Sequence, residues 1–232
     1  MVSRCSDLNT RDTVSHDSRC HSIRFLRNHS LAVSTSALNI LFEVAEIVNL
    51  VIVASYSGLD VGQGLKKLNG NIFSHLTALT ELSLWGNHLT YIGDNAFAMD
   101  ELTNSTLHIS LRDNHNLTPS SFARNSLIGI NRPTTIDLSN SQAISKITYF
   151  PEDVFWPFFA ANPLNVIDAF DSTNFDCQDC KSYWLKQRAL FKRIPDLTCS
   201  DGKAIHDPDN FKNCHTGGSY SQMPLVMFMV VY

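Results

Sequence analysis

Charge is scarce in this sequence and nowhere concentrated. Of its 232 residues only 17% are charged, the net charge is −4, and no run of lysine or arginine occurs. Phosphate backbones are gripped by basic stripes, so nucleic acid is excluded as a main partner. Long apolar runs are missing as well. The apolar end, Met223 to Tyr232, has ten residues, where a membrane-spanning helix needs about 20. The polar spacer after Gly217, Gly218 and Ser219 is short for a lipid-anchor signal. An anchor, a truncated span and a flexible or back-packed tail remain the alternatives there. The opening stretch MVSRCSDLNTRDTVSHDSR has no apolar core of the signal-peptide kind. The expectation is a leader missing from this sequence or, failing that, a cytosolic chain with free thiols. Catalytic signatures are absent too: there is no H-E-x-x-H, no G-x-S-x-G and no dinucleotide fingerprint. The stretch GLDVGQGLKK after Gly58 lacks phosphate-loop spacing and reads as a loop. The nine histidines are scattered. No enzyme activity, cofactor or metal is expected.

Regular spacing is what the chain does have. From Leu79 to Phe97 it reads LTELSLWGNHLTYIGDNAF, or LxxLxLxxNxLxxIxxxxF. Leu82 and Leu84 alternate with Glu81, Ser83 and Trp85, the period of two of a half-buried strand. Asn87 ends that strand, where a buried amide can bond backbone groups of its own turn and the next. A shift of 27 residues carries Leu82 to Ile109, Leu84 to Leu111 and Asn87 to Asn114. A second shift reaches Ile136, Leu138 and Ser141, with Asn140 beside it, and carries Leu117 to Ile144. Phe122 and Phe155 take the place of Phe97; Leu68 and Phe73 repeat the spacing of Ile92 and Phe97; Leu50 and Ile52 form an earlier strand pair. Ile167 and Ala169 offer a last, irregular strand. One such turn cannot bury its own apolar edge and needs stacked neighbours.

This pattern resembles the extracellular leucine-rich repeat. The resemblance implies an α/β fold: a right-handed solenoid, or horseshoe, of about five turns with a parallel β-sheet on its concave face. Residues 1–49 are expected to form an N-terminal cap, 50–161 the repeats, 162–216 the last irregular repeat with a cysteine-rich cap, and 217–232 the apolar tail. In the first cap Ile23 and Phe25 suit a strand, and Ser34-Thr35-Ser36 precedes ALNILFEVAEIV, an amphipathic helix. Its polar face lacks the basic residues of a membrane-surface helix. The aromatic run Phe155-Trp156-Pro157-Phe158-Phe159 reads as convex-side packing rather than an exposed patch.

The six cysteines lie only at the ends, Cys5 and Cys20 early and Cys177, Cys180, Cys199 and Cys214 late. That arrangement suggests disulfide-stapled caps and an oxidising compartment. A disordered arm with free thiols is the alternative for the first pair. For the others, a redox C-x-x-C would want a neighbouring βαβ unit, and zinc would want a closer second pair. Three sequons, at Asn28, Asn104 and Asn116, agree with glycosylation outside the cell.

Residues 175–214, FDCQDCKSYWLKQRALFKRIPDLTCSDGKAIHDPDNFKNC, resemble the cysteine cap of extracellular leucine-rich repeat proteins, with Trp184 and Leu185 at the usual offset from Cys180. The resemblance implies the pairs Cys177–Cys199 and Cys180–Cys214. The family usually carries C-x-C where this chain has C-x-x-C. The closing CSDG…DPDNFKNC, the short repeats and the early helix are similar to arthropod secreted leucine-rich repeat proteins. Many of those are named for the non-catalytic subunit of Oplophorus-luciferin 2-monooxygenase.

Equivalent outward positions form columns across the expected sheet: Glu81, His108, Thr135, Val166; then Ser83, Ser110, Asp137, Asp168; then Trp85, Arg112, Ser139, Phe170; then Gly86, Asp113, Asn140, Asp171. The face is acidic toward its end, with aromatic anchors at Trp85 and Phe170, residue types that carry binding energy at interfaces. The expectation is a secreted or cell-surface module that binds a protein through Glu81, Ser83, Trp85, His108, Arg112, Asp113, Asp137, Asp168, Phe170 and Asp171. A non-catalytic accessory subunit of a secreted enzyme, implied by the resemblance, is one alternative. A cytosolic repeat adaptor is another.

Overall fold

The computed structural model describes residues 22–27, 49–54, 64–99, 105–140, 146–170 and 174–214. Several sequence expectations lie outside them: Cys5 and Cys20, Asn28 and Asn104, the helix at 37–48, Ser141 and Ile144, Asp171 and the tail 217–232.

The described residues form an α/β structure around one parallel sheet. Strands β1 (Ser22–Arg27), β2 (Asn49–Ala54), β4 (Glu81–Ser83), β6 (Leu107–Ser110), β7 (Thr134–Asp137) and β8 (Val166–Asp168) lie side by side in chain order. Two short strands, β3 (Lys67–Leu68) in the β2–β4 connection and β5 (Tyr91–Ile92) in the β4–β6 connection, pair in a second sheet. Register follows the sequence columns: Leu82 is opposite Ile109, Ile109 opposite Ile136 and Ile136 opposite Ile167. All four are fully buried, and so is Leu50, which pairs with Leu82. The pleat then turns Glu81 and His108 to solvent.

Behind the sheet the core is rich in phenylalanine. Phe73 stacks on Phe97 with ring centroids 6.4 Å apart. Further on, Phe122 meets Phe155 at 5.2 Å, Phe155 meets Phe150 at 4.7 Å, and Phe150 meets Phe175 at 5.1 Å. Phe73–Phe97, Phe122–Phe155 and Phe150–Phe175 cross from one connection to the next, while Phe150 and Phe155 share one, so the aromatic rings tie neighbouring strands together from behind.

Buried asparagines satisfy the backbone where strands end. Asn87 donates its amide to Ile52 O at 2.7 Å and Leu84 O at 2.8 Å, and accepts from Leu65 N at 3.0 Å. Asn114 repeats this one strand later, toward Leu84 O, Leu111 O and Leu89 N. The bonds run to the asparagine's own turn and the preceding one, not the next as the spacing suggested. Asn87 reaches back to Ile52 O and Asn114 to Leu84 O, so these two turns are each served by the asparagine of the turn that follows. Asn140, the nearest counterpart in the third turn, donates only to Leu138 O at 3.3 Å and meets His115 Nδ1 at 3.1 Å.

The aromatic run is helical. Helix α1 (Glu152–Ala161) buries Val154, Phe155, Phe158 and Phe159 on one face. Acidic residues at 152 and 153 suit its positive N-terminal end. Pro157 lies inside it and forfeits one helical bond. Arg193 closes the far end, donating to Phe159 O at 2.8 Å, Asn162 O at 2.6 Å and Asn165 O at 2.7 Å. Burial against that helix end lowers the Arg193 pKa from its ordinary value.

Residues 175–214 close the sheet's last side. Helix α2 (Tyr183–Gln187) buries Trp184 and Leu185, and the Trp184 indole donates to Phe150 O at 2.9 Å. Ser182 Oγ accepts from Phe150 N at 3.0 Å. The disulfides are Cys177–Cys199 and Cys180–Cys214, the pairing that the resemblance implied.

Candidate functional site

Two rows of outward side chains come from the strands themselves. Glu81, His108, Thr135 and Val166 sit in register, as do Ser83, Ser110, Asp137 and Asp168. A third row continues just past the strands, because the backbone ladder continues there. Gly86 N donates to Arg112 O at 2.9 Å, Asp113 N to Ser139 O at 3.0 Å and Asn140 N to Phe170 O at 3.3 Å. Trp85, Arg112, Ser139 and Phe170 therefore lie on adjacent segments.

Burial divides these residues into three groups. Glu81, His108 and Phe170 are exposed, Phe170 at 55%; Ser83, Trp85, Arg112 and Asp168 are half-buried. Asp113 and Asp137 are buried. Asp137 is occupied by its neighbours: its carboxylate accepts from Ser139 N at 2.9 Å, from the Ser139 hydroxyl, and from Ser110 Oγ at 3.4 Å. Asp113 accepts from the Trp85 indole N–H at 2.8 Å, and Arg112 Nε lies 3.7 Å from the same oxygen. Asp113 also has a left-handed backbone, φ 56°, at the place where the preceding turn uses Gly86, φ 64°. The turn demands that conformation, which aspartate tolerates better than most residues.

The two buried carboxylates thus shape the face from behind. Asp137 fixes Ser110 and Ser139, and Asp113 fixes the tilt of Trp85 and draws Arg112 beside it. The accessible side chains are Trp85, Arg112 and Phe170 along one rim and Glu81 with His108 along the other. One Asp168 oxygen accepts from Phe170 N at 3.2 Å, which orders the Phe170 backbone. Sequence columns located these neighbours. They missed the Trp85–Asp113 bond, which joins two different columns; the signal available was an aspartate where the equivalent position is glycine.

Of the sequons, Asn116 is described. It is half-buried, with its Oδ1 accepting from Lys146 Nζ at 3.1 Å. Among the described residues, no three His, Cys, Asp or Glu side chains gather to hold a metal ion, and no helix is long and apolar enough to cross a membrane. No protein-family model matches the chain, and no curated protein matches it.

Proposed function

We propose that this chain is a leucine-rich repeat solenoid of the secreted or cell-surface kind, acting as a non-enzymatic binding module through the concave face of its sheet. The observation that carries the proposal is the alignment of Trp85, Arg112 and Phe170 along one backbone-bonded ladder, with Ser139 between Arg112 and Phe170 and with Trp85 held by Asp113. The parallel strands in chain order, the asparagine bonds between turns and the crossed disulfides all support the repeat reading. Disulfides of this kind persist outside the cytosol. A rigid sheet carrying a fixed aromatic and an arginine provides the residue types that dominate interface energies.

The test is a binding screen against secreted and cell-surface ectodomains, with the wild-type chain beside the variant Trp85→Ala/Arg112→Ala/Phe170→Ala. Trp85→Ala and Arg112→Ala remove groups that face the buried Asp113 carboxylate, so far-ultraviolet circular dichroism of the variant is recorded beside the screen to show that the fold is retained. Loss of at least tenfold in affinity for the partners found is the expected result. Equal binding by both chains would place the site elsewhere.

A second reading is a non-catalytic accessory subunit that stabilises a secreted enzyme. It is favoured by Leu164 and Phe170, exposed at 66% and 55%, which flank β8 at its two ends. A permanent interface covers such residues. This reading predicts aggregation of the isolated chain and its rescue on co-expression with the enzyme partner.

A further inference from the structure

The C-x-x-C spacing in the cap is left unexplained by partner binding. Its two cysteines bond away from each other, Cys177 to Cys199 across 22 residues and Cys180 to Cys214 across 34. The two bonds sit in different surroundings. Cys177 and Cys199 are both 2% exposed, and the buried Asn210 amide donates to Cys199 Sγ at 3.1 Å. Cys180 is exposed, at the start of the 3-10 turn Cys180–Ser182. The segment between the two cysteines is already curled: Asp176 Oδ1 accepts from Gln178 N at 2.9 Å and from Asp179 N at 3.0 Å. Three residues of chain keep the cysteines within about 11 Å even when extended, and the curl shortens that.

We infer that the cap is a thiol-exchange site, entered by dithiol reductants at Cys180 and completed by the C-x-x-C pair itself. A reductant thiolate attacks Cys180 Sγ, a mixed disulfide forms, and Cys214 leaves as a thiolate. The second reductant thiol closes the reductant's own disulfide and expels Cys180 as a thiolate. Two electrons have then passed from the dithiol to the Cys180–Cys214 pair. The Cys180 thiolate next attacks Cys177 Sγ, forming Cys177–Cys180 and releasing Cys199 as a thiolate, with no further electrons consumed. The chain then holds one short-range disulfide, and the segment bearing Cys199 and Cys214 is no longer covalently tied to the turn at 177–180. Trp184 stays anchored by its bond to Phe150 O, so the exchange loosens the end of the cap while the helix remains seated.

The experiment is a dithiothreitol titration of the oxidised full-length chain, quenched in acid and alkylated, with peptide mapping of free and bonded cysteines at each step. The expected order is free Cys180 and Cys214 first, then free Cys199 and Cys214 together with a Cys177–Cys180 peptide, before the far-ultraviolet circular dichroism changes. Opening of Cys177–Cys199 before Cys180–Cys214, or of both only when the protein unfolds, would overturn the inference. The variant Cys214→Ser tests the second step without reductant. It is expected to contain both Cys177–Cys199 and Cys177–Cys180 isomers. A Cys214→Ser chain holding Cys177–Cys199 alone, with Cys180 alkylatable, would refute the exchange. Should that variant fail to fold, the wild-type titration decides alone.

Discussion

Replacing Asn87 with alanine tests the physical basis of the stacking. Asn87 is 2% exposed and bonds four backbone groups from two different turns, the longest at 3.4 Å to Trp85 O. Truncation strips partners from Leu65 N and Ile52 O, while Leu84 O retains Asn114. Each buried backbone group left unpaired costs about 1–3 kcal/mol, so two of them set a loss of about 2–6 kcal/mol. No water can replace the amide without a cavity that the small alanine side chain only partly opens. Whole-domain stabilities are about 5–15 kcal/mol, so a loss in that range would be readily measured. The assay is urea unfolding followed by circular dichroism with the disulfides intact. Asn140→Ala serves as the internal comparison, since Asn140 gives one long bond to its own turn and one contact to His115. It should cost about 1 kcal/mol. Equal losses at the two positions would refute the claim that inter-turn amide bonds hold the array together.

Other substitutions probe the face and the cap. Asp113→Gly keeps the left-handed backbone and removes the acceptor of the Trp85 indole; stability should stay within about 1 kcal/mol, while the Trp85 Nε1–H signal in nuclear magnetic resonance should exchange with water faster. Trp184→Phe preserves a buried ring and loses the bond to Phe150 O; a cost of about 1–3 kcal/mol is expected by urea unfolding, chiefly from the orphaned carbonyl. Cys177→Ser/Cys199→Ser removes a buried crosslink spanning 22 residues, for which about 3 kcal/mol is expected, measured as a fall in the unfolding midpoint.

Sequence spacing located the strand neighbours because a period of 27 leaves little freedom in register. Glu81 opposite His108 and His108 opposite Thr135 follow from one offset, and the longer step of 31 residues to Val166 was recovered from the apolar pair Ile167 and Ala169. The period says nothing about depth. Asp137 and Asp168 share a column, yet one is buried among serines and the other half-exposed, because the serines at 110 and 139 bring donors only to Asp137. The direction of the asparagine bonds was likewise invisible, since an i-to-i+27 repeat is symmetric along the stack. Helix α1 escaped assignment because Pro151 and Pro157 bracket its first turns and resemble breakers. Four buried apolar side chains at Val154, Phe155, Phe158 and Phe159 outweigh that local cost.

Hydrogen exchange of the chain, free and saturated with a partner from the ectodomain screen, distinguishes binding on the sheet from binding on the cap. Protection by the partner is expected at residues 81–86, 108–113 and 166–170, with little change at α1 and α2. Protection confined to α1, α2 or residues 191–214, with the sheet exchanging as in the free chain, would contradict binding on the sheet.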